Sequence, residues 1–153
     1  MPMGLAGDID RQMMRKAFAE AEAGYGEGGV PVGAVIAMGE ALLAAGHNRR
    51  VQAGDPTAHG EIDCLRALGY RRSFRGVTLY TTLSPCMMCT GAILRFAVPR
   101  VVIGEAINFP GNIDFLRSQG VEVILLNDPD CIALMARFIR EHPELWNEDI
   151  AED

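Results

Sequence analysis

The chain has 153 residues, 49% of them hydrophobic and 22% charged, which is ordinary for a globular protein with room for one sizeable core. A formal net charge of −6 and a pI near 5.0 argue against a broad nucleic-acid footprint or a membrane surface. No apolar run reaches the length of a membrane span. The first residues lack the basic stretch and apolar core of a signal peptide. The four cysteines suit a reducing compartment, so a cytoplasmic protein is expected.

No repeat, low-complexity linker or break in composition interrupts the chain, and one domain over 1–153 is the economical reading. Residues 1–7 read as loose. Asp8 is placed to cap a helix running to about Gly24, with Met13, Met14, Ala17, Phe18 and Ala21 as its apolar stripe. The Gly-rich piece from Gly24 to Gly29 is a connector, with neither P-loop nor dinucleotide spacing. Val30 to Met38 is a continuous apolar run, the mark of a buried strand. Glu40 to His47 follows as its hairpin partner, and Asn48 to Pro56 reads as a loop.

Thr57 opens the next helix as a possible N-cap. That helix carries His59 and Glu61 and stops at Gly69. Val77 to Thr81 is a strand feeding a helix that holds Cys86 and Cys89 and runs to about Phe96. Pro85 suits the first turn of that helix. Arg100 to Gly104 is a strand, Glu105 to Gly111 a loop, Asn112 to Gln119 a helix and Val121 to Leu126 a strand. Pro129 to Glu141 is a helix with Ile132, Met135, Ala136 and Ile139 inward. His142-Pro143 ends it, leaving a short acidic tail. Strands alternating with helices call for an α/β fold with parallel neighbours and helices on both faces of the sheet.

Residues three apart share a helical face, so Cys86 and Cys89 can point at one metal ion, and a helix N-terminus favours the thiolates a metal needs. By spacing alone the pair reads equally as a redox couple or as two buried apolar residues. The stretch Thr57-Ala58-His59-Gly60-Glu61 breaks the tie. His59 supplies a third ligand, and Glu61, two residues on, can reach a metal-bound water without binding the metal. His-x-Glu followed by Pro-Cys-x-x-Cys is the signature of zinc nucleobase deaminases. Three protein ligands with one open position is the pattern of a catalytic zinc. Cys64 and Cys131 fall on apolar helical faces and read as inert core residues.

With Val30-Pro31-Val32-Gly33-Ala34 ahead of that signature, the chain resembles the cytidine-deaminase-like superfamily. The resemblance implies a three-layer α/β/α sandwich around a five-stranded mixed sheet. Gly46-His47-Asn48, Leu79 to Cys86, Cys89 to Ile93, Gly104-Glu105 with Asn108-Phe109, and Trp146 with Glu148-Asp149-Ile150 are similar to the fungal-type cytosine deaminases. This similarity runs from about residue 17 to the C-terminus.

What it implies, residue by residue, is zinc on His59, Cys86 and Cys89, with Glu61 as the proton shuttle. Asn48, the backbone of Gly60, the Ser84 carbonyl and Asp149 would hydrogen-bond the base. Phe109 and Trp146 would cover or sandwich its ring, the latter from a C-terminal lid over residues 143–153. A homodimer is also implied, with a small nucleobase as substrate and neither nucleic acid nor membrane as partner. The chain departs from the fungal pattern at Val51 and Asn147, where those enzymes carry aromatic residues. That leaves room for a sister deaminase acting on creatinine, guanine or a modified pyrimidine. A tRNA adenosine deaminase and a non-catalytic zinc protein are the other readings.

Overall fold

The computed structural model describes residues 6–152; most of the segment read as loose, residues 1–5, lies outside them. The elements in order are α1 (Asp8–Gly26), β1 (Gly33–Met38), β2 (Ala41–His47), α2 (Arg50–Ala53), α3 (Gly60–Leu68), β3 (Thr78–Leu83), α4 (Met87–Arg95), β4 (Arg100–Glu105), α5 (Ile113–Ser118), β5 (Glu122–Leu125), α6 (Pro129–Glu141) and α7 (Pro143–Asp149).

The strands form one mixed sheet in the order β2-β1-β3-β4-β5. β1 runs antiparallel to both β2 and β3, and β3, β4 and β5 are mutually parallel. Met38 pairs with Ala41 across a two-residue turn, the hairpin expected after Gly39.

Period-2 alternation sends successive side chains to opposite faces, and each face buries its own layer. Ala34, Ile36, Leu79, Val101, Ile103 and Val123 pack with Cys64 of α3, Ile93 of α4 and Leu116 of α5. Val35, Ala37, Tyr80, Val102 and Ile124 pack with Met13, Met14 and Ala17 of α1 and Cys131 of α6. This is the expected three-layer sandwich. The central strands are buried on both faces, which is why they read as unbroken apolar runs.

Several element ends differ from the sequence reading, each for a local reason. Asp8 is the first helical residue, not the cap; Gly7 precedes the helix and its N–H donates to Asp10 Oδ2 at 3.0 Å. Thr57 caps nothing, because its hydroxyl and N–H are both taken by Asp55 Oδ1, at 2.7 and 2.9 Å. His59 is the N-cap of α3. Pro85 lies one residue before Cys86, the N-cap of α4. The loop after His47 contains the short helix α2. The acidic tail is a helix too: α7 starts with Pro143 and buries Trp146. α6 begins where Pro129 placed it, with Asp128 accepting from the N–H groups of Asp130 and Cys131 at 2.9 and 3.1 Å.

No helix among the described residues is long and apolar enough to cross a membrane.

Candidate metal centre and pocket

In parallel sheets, sites form beyond the carboxyl ends of the strands. Here β3 leaves the sheet at Leu83, and Ser84-Pro85 carry the chain to α4. The N-caps of α3 and α4 are His59 and Cys86, so two helix N-termini, each with a partial positive charge, converge on one point. Gly60 permits this approach, because a Cβ there would fall 2.9 Å from the Val32 carbonyl oxygen.

His59 Nδ1 lies 3.5 Å from Cys86 Sγ and 3.7 Å from Cys89 Sγ, and the three donor atoms all fall within 4.8 Å of one another. Zinc–sulfur bonds near 2.3 Å and zinc–nitrogen bonds near 2.05 Å, set at a tetrahedral angle, give an N···S edge of about 3.6 Å. The observed separations match that edge, so the three side chains stand where ligands of one tetrahedral ion stand. His59 turns its other ring nitrogen, Nε2, toward Asp149 Oδ1 at 3.6 Å. At that separation the carboxylate faces the imidazole as a neighbouring charge, without a hydrogen bond between them.

The three side chains are coupled through the protons they share. The hydrogen bond from Cys89, and then the His59 ring, pull the Cys86 thiol down to about 4. Cys89, which gives that hydrogen bond and is buried, is pushed up. His59 is raised to about 9, chiefly by its hydrogen bond to Cys86; a cation seated between them would take the place of that proton. By contrast, burial pushes the Cys64 thiol up to about 12 and raises Cys131 as well. Both behave as the apolar core residues expected.

A cavity of about 220 Å³ opens beside the triad. That is small against the several hundred Å³ of a drug-sized site and suits one planar ring. Its wall includes Asn48, His59, Glu61, Ser84, Cys86, Phe109, Trp146 and Asp149. Eight of the ten expected site residues therefore meet here. Cys89 joins through the metal group, while Gly60 contributes backbone between His59 and Glu61 rather than wall.

Glu61 is buried, forms no ion pair among the described residues, and is raised to about 7 by burial, against the lowering pull of His59. Asp149 Oδ1 is buried without a hydrogen-bond partner, and burial raises its carboxyl above the usual range. Asn48 is 2% exposed. Its Oδ1 accepts the Arg50 N–H at 2.9 Å, which leaves Nδ2 as the amide's free donor. Phe109 and Trp146 stand edge to face, with centroids 6.1 Å apart and an interplanar angle of 90°. Their perpendicular rings form two adjoining walls and not the parallel plates of a sandwich.

Val32, Leu83 and Ile150 complete the apolar wall. Residue types alone did not single them out, although Leu83 directly precedes the Ser-Pro-Cys turn. Val51 is 39% exposed, and neither it nor Asn147 lines the cavity. The two departures from the fungal pattern thus lie outside the wall.

Comparison with known proteins agrees with this geometry. The model of the cytidine and deoxycytidylate deaminase zinc-binding region matches residues 8–105, a span holding His59, Glu61, Cys86 and Cys89. A cytosine deaminase of Candida albicans is 47% identical over 146 residues, 94% of this chain and 97% of that one. A tRNA-specific adenosine deaminase of Bacillus subtilis is 38% identical over 99 residues, 62% of this chain and 61% of that protein. The solved structure of a guanine deaminase from Nitrosomonas europaea superposes with a TM-score of 0.70 at 27% identity, over 90% of this chain and 87% of that one. A tetrahedral His-Cys-Cys group, a buried carboxylate two residues from the histidine and a match through the whole metal-binding span lead to one conclusion: the chain belongs to the zinc-dependent cytidine and deoxycytidylate deaminase family.

Proposed function

We propose that the protein hydrolytically deaminates free cytosine to uracil and ammonia, with His59, Cys86 and Cys89 holding its zinc ion. The observation that carries the choice of base is the buried Asp149 carboxylate, whose Oδ1 has no hydrogen-bond partner, in the wall of a ring-sized cavity beside those three residues. An unpaired buried acceptor is costly, and the exocyclic amine of a base satisfies it.

When bound, zinc supplies the acidity that makes a water nucleophilic at neutral pH. Glu61 takes the proton of that water and delivers it to ring N3 as oxygen bonds to C4. It then takes the proton of the new C4 hydroxyl and passes it to the amine, so that the C4–N bond breaks, the C4 carbonyl forms and ammonia leaves. A carboxyl that titrates near neutrality suits a group that gains and loses protons in turn. Asn48 Nδ2 donates to the base carbonyl, while the Gly60 backbone and the Ser84 carbonyl hold the remaining ring edge. Trp146 and Phe109 exclude water from the ring.

The relatives that act on tRNA align with about two thirds of this chain or less. In this protein α7 stands over the cavity, where a polynucleotide would have to pass. A larger purine, as in the guanine deaminase, has less support from a cavity of about 220 Å³. We further read the protein as a cytoplasmic homodimer. The resemblance to dimeric deaminases supports the dimer, and four free cysteines support the compartment.

Ammonia release from the zinc-loaded protein, measured against cytosine, isocytosine, creatinine, guanine, adenine, cytidine and an anticodon stem-loop, tests the substrate. Cytosine should be turned over with the highest kcat/KM; a clear preference for guanine, cytidine or the stem-loop would replace this reading.

A further inference from the structure

Asn48 sits at the end of β2, and the residues on either side of it are gripped from outside the pocket. His47 is 4% exposed. Its Nδ1 meets Glu20 Oε1 and its Nε2 meets Glu27 Oε1, each at 2.9 Å. The ring lies against the last turns of α1, where a Cβ on Gly24 would fall 3.0 Å from His47 Cδ2.

Glu27 is the hub of this arrangement. The same Oε1 receives Gln52 Nε2 at 3.1 Å and faces Arg49 Nη1 at 3.8 Å. Gln52 Nε2 in turn donates to the Asn48 carbonyl at 3.1 Å. On the other side, Asp63 accepts the His47 N–H at 3.1 Å and Arg49 Nε at 3.1 Å. Both chain neighbours of Asn48, and through Gln52 its own carbonyl, are therefore tied to one carboxylate just past the end of α1.

We propose that Glu27 and His47 are positioning residues for Asn48: by holding residues 47–52 against the end of α1, they aim the Asn48 amide donor at the carbonyl of the bound base. The inference rests on the reading of Asn48 as a contact to the base. Glu27 is suited to this role and not to holding the core. Its side chain is 45% exposed, it buries no apolar surface of the three-layer sandwich, and its partners all lie in the segment that carries Asn48.

A displacement of a recognition group by about 1 Å is enough to weaken productive binding by tenfold or more. Glu27→Ala should raise the KM for cytosine roughly tenfold, with kcat, zinc content and melting temperature close to those of the parent. Glu27→Gln keeps an acceptor oxygen at the hub and should recover most of the loss. His47→Gln should shift KM in the same direction as Glu27→Ala. The deciding measurement is a double-mutant cycle with Asn48→Ala. If Glu27 acts through Asn48, adding Glu27→Ala to Asn48→Ala costs nothing further, and calorimetric binding of uracil shows the same non-additivity. Full additivity, a fall in kcat with KM unchanged, or a loss of zinc and melting temperature in step with activity would overturn the positioning role. Unchanged activity in Asn48→Ala alone would overturn the reading of Asn48 itself, and the positioning role with it.

Discussion

The parallel strands carry a buried carboxylate cluster at each end, and the two are opposites. At the amino ends, Asp10 is gripped on every side. Arg100, the first residue of β4, donates to both of its oxygens at 2.8 and 2.7 Å, and the Tyr80 hydroxyl and Gly7 N–H donate at 2.8 and 3.0 Å. Burial alone would raise its carboxyl, but Arg100, Gly7 and Tyr80 together outweigh that and hold it below the usual carboxylate range. At the carboxyl ends, Glu61 has no ion-pair partner among the described residues, Asp149 Oδ1 has no hydrogen-bond partner, and both are shifted up by burial. One fold thus holds two kinds of buried acid. The first ties α1 to the sheet through a close, hydrogen-bonded arginine, and the other two face a cavity with no such partner. A hydrogen-bonded counter-charge, not burial, separates the anchor from the cavity pair.

The comparison breaks most sharply at Glu61. Glu61→Gln should keep fold and zinc, read by circular dichroism and metal analysis, and lose on the order of 10² or more in kcat, the contribution of a positioned general acid and base. Near-normal turnover in this variant would mean that the Glu61 carboxylate is not the proton carrier. Asp149→Ala comes next. It removes the carboxylate that faces His59 and, on the proposed function, the acceptor for the amine. Loss of such a supporting group typically costs about 10- to 100-fold in activity or metal affinity. Stopped assays at fixed zinc, with metal retention measured in parallel, separate the two contributions.

Asp10→Asn should do the reverse. Removing one partner of a fully buried pair costs roughly 3–5 kcal/mol. Arg100 is 25% exposed, so water compensates part of this, and about 2 kcal/mol of unfolding free energy is expected. Chemical denaturation should show that loss while kcat for deamination stays at the parent value. A drop in kcat without a drop in stability would dissolve the distinction between the two ends.

The parts of this arrangement that were legible in the sequence are those built from local patterns. Short apolar runs between turn residues and 3.6-fold periodicity placed the five strands and the main helices, and the spacing of His59, Glu61, Cys86 and Cys89 placed the metal group. Chain-local chemistry also misled. Thr57 has the side chain of a cap, but Asp55 is closer and claims it. The tail from Pro143, read as a lid without regular structure, is the helix α7, whose Trp146 packs with Phe138, Met135 and Leu83. The roles of Asn48, Asp149, Trp146 and Phe109 came from resemblance alone. Contacts between distant segments left no pattern to read: nothing local to Glu27 announces His47, and nothing local to Asp10 announces Arg100, 90 residues away.

The smallest effect is the most specific. Tyr80 lies in the central strand, 2% exposed, and its hydroxyl donates to Asp10 Oδ1. Tyr80→Phe keeps the ring's packing against Met13, Met14 and Val102 and removes only that donor. The remaining partners keep Asp10 ionised, so the cost should be about 1 kcal/mol, the net worth of one hydrogen bond. The pH dependence identifies which charge is involved. Asp10 titrates lower in the folded chain than in the unfolded one, so the stability it contributes is fully present above its unfolded pKa near 3.9 and is lost as pH falls through the folded value. Tyr80→Phe weakens one of the bonds that depress that value. Its deficit relative to the parent should therefore be constant from pH 5 to 7 and shrink as Asp10 becomes protonated. Asp10→Asn should show the same convergence from a larger starting gap. Unfolding free energies measured from pH 3 to 7 for the three proteins test this directly. A Tyr80→Phe deficit that stays the same after the folded Asp10 carboxyl, followed by its own titration, has been protonated would mean that the hydroxyl stabilises something other than the Asp10 carboxylate.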